Sequence, residues 1–257
     1  MPLPAALGAP DAVQLDYLRF SVVLDRARRL AAVTGVNIDG ATLQDLPRTG
    51  EWRLDPRAPA DQQAGPEVYE RNDFDRGHLV RRRDPGWGTE AEARAATEST
   101  FFYPNAAPQA SVFNQSKDLW LGLEDHVLQY ADAHDHRVSV FTAPVLAADD
   151  PPYRGILIPR RFWKVAAWST TDSAGARALA CAGFVLDQTA LIDTSGAIAA
   201  VAPLGAYRTF QVPVGDIASL ARVDLGEMPA ADTFTGAAAR GPAAWRPLHG
   251  AADIDVR

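Results

Sequence analysis

At 257 residues, with 47% apolar and 22% charged side chains, the chain is long enough to bury a full core, and its composition excludes a disordered or fibrous protein. Its net charge of −7, from 25 basic against 32 acidic residues, argues against a dedicated nucleic-acid-binding module, whose footprint is basic overall, but leaves room for an enzyme with a local basic cleft. No apolar run approaches the ~20 residues of a membrane helix, and the single cysteine, Cys181, leaves no intrachain disulfide and no paired-thiolate zinc site.

The N-terminus, Met1-Pro2-Leu3-Pro4, lacks the basic-then-apolar layout of a signal peptide. A cytoplasmic location is therefore expected, with secretion as the alternative. Residues 1–13 read as a loose tail, and residues 14–257 as a single domain. Apolar, β-branched runs predict strands over residues 17–24 and 31–38, joined by a basic connection. Residues 46–63, rich in Pro, Arg and Asp, read as an irregular excursion.

The first chemistry-bearing string follows, Asp75-Arg76-Gly77-His78, then Leu79-Val80-Arg81-Arg82-Arg83. An Arg and a His separated by a flexible Gly can place a guanidinium and an imidazole in one cleft. Phosphodiester hydrolysis needs that pair: a base near neutrality to deprotonate water, and a fixed cation to offset charge on phosphorus. The plainer reading is a strand-end His in a salt-bridged turn. Thr89 with Glu92 three residues on predicts a capped helix running to about residue 96.

Next come Tyr103-Pro104-Asn105 and Pro108-Gln109, an ordered loop, and Phe113-Asn114-Gln115, just before a helix predicted from Ser116 to about residue 133. Asn114 reads either as a helix cap or, through its amide oxygen, as a neutral hard ligand suited to Mg²⁺. Glu124 falls among Trp120, Leu123, Val127 and Leu128 on one helix face, where a carboxylate needs a partner unless it reaches solvent. His134-Asp135-His136 offers a rival zinc site, with no third ligand at a convincing spacing. Further strands are predicted over residues 137–146, 161–169, 178–187 and 209–214, while residues 197–257 carry no motif. Strands on both sides of a helical centre predict an α+β fold, with a mostly antiparallel central sheet and flanking helices.

The ordered strings Asp75-Arg76-Gly77-His78, Asn105-x-x-Pro108-Gln109 and Phe113-Asn114-Gln115…Trp120-x-x-Leu123-Glu124 resemble the DNA/RNA non-specific endonucleases. That family includes endonuclease G and belongs to the ββα-metal (His-Me finger) nucleases. The likeness extends through 143–145, Ile158-Pro159 and Phe162-Trp163-Lys164. It implies a metal-dependent hydrolase cleaving DNA and RNA with little sequence specificity. His78 would be the general base and Asn114 the ligand of one Mg²⁺, with Mn²⁺ as a substitute. Glu124 would orient the metal's waters and Arg76 would contact phosphate. An upstream arginine, Arg57 or Arg48, would bind substrate, with Arg81, Arg82 and Arg83 gripping the backbone. Asp75 and Asn105 would brace the site, Asn105 by fixing the His78 tautomer. A homodimer and an inhibitor protein are further partners to expect, and no membrane. The alternative is a nuclease-like binding or interaction module without catalysis.

Overall fold

The structure, a computed structural model, describes residues 1–111, 137–171, 174–192, 208–234, 241–250 and 253–254. Its body is an eight-stranded antiparallel sheet. The strands are β2 (Val13–Tyr17), β3 (Phe20–Asp25), β4 (Leu30–Asp39), β7 (Arg137–Pro144), β10 (Arg161–Thr171), β11 (Arg177–Asp187), β12 (Arg208–Val212) and β14 (Arg246–Leu248). Across the sheet their order is β14-β12-β11-β10-β7-β4-β3-β2. Successive side chains on a strand point to opposite faces, and here both faces are covered. Along β10, Phe162, Ala166 and Trp168 enter one apolar cluster while Trp163, Val165 and Ala167 enter the other. This explains why β10 and β11 read as continuous apolar runs rather than alternating ones. Cys181 on β11 lies in the second cluster, its thiol bonded to the Met228 carbonyl at 2.8 Å and pushed up by burial to about 12. It is a core residue, and burial keeps its thiol protonated rather than nucleophilic.

The outer cover of the second face is α3 (Val214–Ala221), packed through Val214 and Ile217. The strand expected over 209–214 therefore stops at Val212, because Pro213 cannot continue the ladder and stands at the N-cap of a helix. Beside it the short strands β1 (Ala5–Ala6) and β13 (Val223–Asp224) pair, so the N-terminal stretch expected as a tail is tied to the body through two residues. The strand expected over 17–24 is instead the end of one strand and most of the next. Leu18 and Arg19 turn the chain, with Arg19 at φ 74°. That left-handed position is usually given to Gly or Asn, so the sequence carried no signal for it. The Arg19 guanidinium caps the turn from outside, 3.9 Å above the Trp87 ring and 3.0 Å from the Pro85 carbonyl.

On the first face lies a two-stranded layer, β5 (Phe74–His78) against β6 (Ala106–Ala110), flanked by α1 (Pro66–Tyr69) and α2 (Glu90–Ser99). A small hairpin, β8 (Pro152–Tyr153) with β9 (Ile156–Leu157), adds Ile156 to the same cluster and sets Tyr153 5.5 Å from the Phe74 ring. The helix predicted from Thr89 forms with both halves of its capping box. Gln188, wholly buried at the end of β11, ties the two-stranded layer to the sheet: its oxygen accepts from Ala110 N at 3.0 Å, and its amide donates to the carbonyls of Pro159 (2.8 Å) and Pro108 (3.2 Å). Among the described residues no helix is long and apolar enough to cross a membrane.

Candidate active site

The β5–β6 register sets Phe74 opposite Ala110, Asp75 opposite Gln109, Arg76 opposite Pro108, Gly77 opposite Ala107 and His78 opposite Ala106. By alternation, Arg76 and His78 share one face, and Asp75 and Gln109 the other. Gly77 is required by contact: a Cβ there would stand 2.2 Å from the amide carbon of Gln109, whose wholly buried side chain lies against the strand. A residue with a side chain there would have to displace the buried Gln109 side chain.

His78 ends β5, and the chain beyond it is clamped by Asn105. The Asn105 backbone carbonyl accepts from Leu79 N at 3.0 Å. Its side-chain oxygen accepts from Val80 N at 2.8 Å, and its amide donates to the carbonyls of Val80 (2.9 Å) and Thr100 (3.0 Å). Asn105 thus braces the backbone after His78, and its side-chain hydrogen bonds do not go to the imidazole as the resemblance had implied.

The half-buried imidazole instead meets two rings. Trp52 lies 4.6 Å away, centroid to centroid, at 47°, and Phe101 lies 5.0 Å away at 89°. Trp52 also touches Phe101 (5.4 Å) and Tyr103 (5.7 Å). Two backbone bonds fix this cluster: Arg53 N donates to the Phe101 carbonyl at 3.0 Å, and Tyr103 N to the Arg53 carbonyl at 2.9 Å. Gly50, at φ 129°, passes so close to Phe101 that a Cβ would come within 2.4 Å of its ring. Sequence reasoning missed Trp52 and Phe101, because their link is a bridge between an irregular stretch and a loop. The one available signal was Trp52 itself, the sole aromatic of the irregular stretch 46–63.

Among the described residues, His78 Nε2 is buried without a hydrogen bond. Burial is the largest influence on the ring's proton affinity, followed by the charges of Arg48, Arg82 and Arg81, and together they lower its pKa to about 3. The ring is therefore neutral near pH 7. The charges acting on it are all positive, and the same group loads Arg82: burial first, then Arg48, Arg83 and Arg81, pull its pKa down. Arg82 donates to the Leu46 carbonyl at 3.1 Å. The Arg83–Asp45 approach, 3.8 Å with Asp45 almost wholly exposed, offsets little of this charge. Such a concentration of guanidinium in a chain of net charge −7 favours an anion.

Of the two upstream arginines, Arg48 acts on His78. Arg57 is committed elsewhere: it grips the buried Asp55 carboxylate with two bonds (2.6 and 3.0 Å), donates to the Asp16 carbonyl at 2.8 Å and lies 4.5 Å over the Tyr17 ring. In the structure it makes structural contacts, with its side chain still partly exposed. Arg76 is half-buried, its guanidinium 5.8 Å from the centre of the Tyr69 ring, and its Nε is buried without a hydrogen bond among the described residues. Asn114, Glu124, Ser116 and His134 to His136 lie outside the described residues. Among the described residues no group of three His, Cys, Asp or Glu side chains stands together as a metal site.

The sequence profile of the DNA/RNA non-specific endonuclease family matches residues 5–231. The chain is also similar to an uncharacterized protein, y4fB, of Sinorhizobium fredii (strain NBRC 101917 / NGR234), at 41% identity over 258 residues. That alignment covers 96% of the chain and 38% of the relative, so the chain spans little more than a third of its length. Among solved structures, a chain of the crystal structure of the EndoG/EndoGI complex matches with a TM-score of 0.60 at 17% identity, over 82% of this chain and 84% of that one. At that identity the likeness is one of fold.

Proposed function

Because the chain belongs to the DNA/RNA non-specific endonuclease family, we propose that it hydrolyses phosphodiester bonds in DNA and RNA with little sequence preference, using His78 as the base. The observation that supports this best is a neutral imidazole set among arginines 48, 81 and 82. A neutral imidazole can accept a proton, and the guanidiniums suit the anionic backbone that must arrive beside it. Among the described residues Nε2 is buried without a hydrogen bond, and we assign Nδ1 as the nitrogen that meets water. His78 Nδ1 takes the proton as the water oxygen attacks phosphorus. Arg48, Arg82 and Arg76 stabilise the charge that gathers on the phosphate oxygens. The arriving phosphate also opposes the arginine charges on His78, so it raises the basicity of the ring when a base is needed. Arg81 and Arg83 hold neighbouring phosphates, contacts that position a strand without reading bases.

The family is in general metal-dependent, and Mg²⁺ remains part of this proposal, with Asn114 as its protein ligand and Glu124 as the carboxylate behind it. A single neutral amide oxygen suits an ion that keeps most of its waters and takes phosphate oxygens for the rest. When bound, it would stabilise the leaving oxygen. Asp75 is proposed to brace the hairpin on the face opposite His78.

The test is digestion of plasmid DNA and structured RNA by purified protein, with Mg²⁺, with Mn²⁺ and with EDTA, beside His78→Ala. Cleavage of both polymers that requires metal and His78 is the expected result. Well-folded wild type that binds nucleic acid but cleaves neither would replace the proposal with a binding module.

A further inference from the structure

A general base needs more than a neutral ring; it needs its lone pair on the nitrogen that faces water. A neutral imidazole carries one N–H, and a partner for that N–H usually decides which nitrogen bears it. Among the described residues the usual partners are engaged elsewhere. The Asn105 amide is taken by Val80 and Thr100. The charged groups acting on His78 are Arg48, Arg82 and Arg81, which are donors without acceptor capacity. What the ring does touch is aromatic, with Phe101 perpendicular at 5.0 Å and Trp52 tilted at 4.6 Å.

We propose that Phe101 and Trp52 are positioning residues that set the tautomer of His78, the Phe101 face receiving the Nε2–H and Trp52 holding the ring in place. The perpendicular arrangement is one in which an edge N–H can meet a π face, a weak but directional attraction. With the Nε2 edge on the Phe101 face, as proposed, the opposite tautomer would set a lone pair against the negative face of that ring, with no hydrogen-bond partner for Nε2 among the described residues. Its N–H would then occupy Nδ1, and that nitrogen could not take a proton from water. The tautomer statement stands without the nuclease reading; only its kinetic consequence rests on that reading.

The geometry makes the cluster specific. Trp52 and Phe101 come from segments about fifty positions apart in sequence, locked by the Arg53–Phe101 and Tyr103–Arg53 backbone bonds. Gly50 leaves the space in which the Phe101 ring lies. The aromatic pair is thus held by backbone, as a positioning device must be.

The experiment is a multiple-bond proton–nitrogen correlation spectrum of protein labelled with ¹⁵N-histidine, near neutral pH, with His78 assigned by loss of its signals in His78→Gln. The expected wild-type result is one neutral tautomer with the proton on Nε2. Phe101→Leu should shift the tautomer ratio about threefold to fivefold toward Nδ1–H, the worth of one N–H···π attraction. Because the competent tautomer still predominates after such a shift, kcat should fall by less than about twofold with little change in KM, while Trp52→Phe, which keeps a ring, retains the wild-type ratio. An Nδ1–H tautomer in the wild type would overturn the proposal whatever the variants do. So would a folded Phe101→Leu protein whose His78 signals do not change. Wild type with the expected tautomer but no cleavage would support the tautomer device and remove the nuclease reading alone.

Discussion

Acidification should destabilise this protein through His78, by an amount that follows from its burial. The unfolded chain titrates a histidine near pH 6.5, whereas burial and the charges of Arg48, Arg82 and Arg81 hold the folded value at about 3. Below pH 6.5 the unfolded state therefore binds a proton that the folded state refuses. Stability rises with pH wherever the unfolded state holds more protons, so it is lost as pH falls from 6.5 toward 3. Between about pH 7.5 and about pH 5.5 the loss amounts to about 1.4 kcal/mol, one unit of titration below the unfolded value. That figure changes little for any folded value below ~4.5, since His78 then stays neutral throughout the interval. His78→Gln cannot titrate and should lack this loss, while the other four of the five histidines contribute equally to both proteins. Urea unfolding of wild type and variant at the two pH values measures the difference. Equal pH responses would mean that His78 is not held neutral by burial and the neighbouring arginines, and would refute the electrostatics assigned to the site.

Kinetics should show the same perturbation with a shift on binding. The acid limb of kcat/KM, which reports the free enzyme, should lie well below pH 6.5, and that of kcat should lie higher because bound phosphate opposes the arginines; coincident limbs near 6.5 would contradict the site's electrostatics. Arg48→Ala should lower kcat/KM about tenfold or more at unchanged stability. Arg57→Ala should instead cost about 1–3 kcal/mol of stability by leaving the buried Asp55 carboxylate short of its partner, with activity of the folded fraction retained; the reverse pattern would exchange their roles. Replacing Arg81, Arg82 and Arg83 by Ser should flatten the salt dependence of DNA binding, by about one unit of slope for each phosphate no longer neutralised, and an unchanged slope would rule out the proposed grip. Gly77→Ala should destabilise by about 1–3 kcal/mol through its clash with Gln109, and Gln109→Ala should relieve much of that penalty, which a thermal melt of the double variant would reveal.

How much of this was legible in the sequence depended on whether a signal was local. The long strands of the sheet announced themselves through β-branched and aromatic runs, and α2 through the Thr89–Glu92 capping box. The Asp75-to-His78 string located β5 because the family resemblance and the strand end agreed. The turn at Leu18–Arg19 was illegible, since no Gly or Asn marks it and its stabilising contacts come from Trp87 and Pro85, far along the chain. Trp52 and Phe101 were missed for the same physical reason: a contact between two irregular segments leaves no period in either. Choosing between Arg48 and Arg57 needed the fold too. Asp55, two residues from Arg57, is an obvious partner only once Tyr17 is seen to donate at 2.6 Å to the same carboxylate oxygen that accepts from Arg57 Nη2, around a buried carboxylate.

The excess of acidic residues and the proposed polyanionic substrate are compatible because they act over different distances. At about 0.1 M salt, charges farther apart than ~10 Å are largely screened, so the overall −7 contributes little at the cleft. Contacts at the cleft are short and partly buried, where screening is weak. Four arginines, Arg48, Arg81, Arg82 and Arg83, repel one another there, and the exposed Asp45 offsets only part of that charge. An entering anion relieves the repulsion. At low salt the balance reverses: the screening length grows to ~30 Å at 0.01 M, and the surface acids begin to repel the same polymer. Association should consequently slow at very low ionic strength, where a protein basic over its whole surface would accelerate. A monotonic rise in association rate down to the lowest salt would show that the acidic surface faces away from the path of the incoming strand.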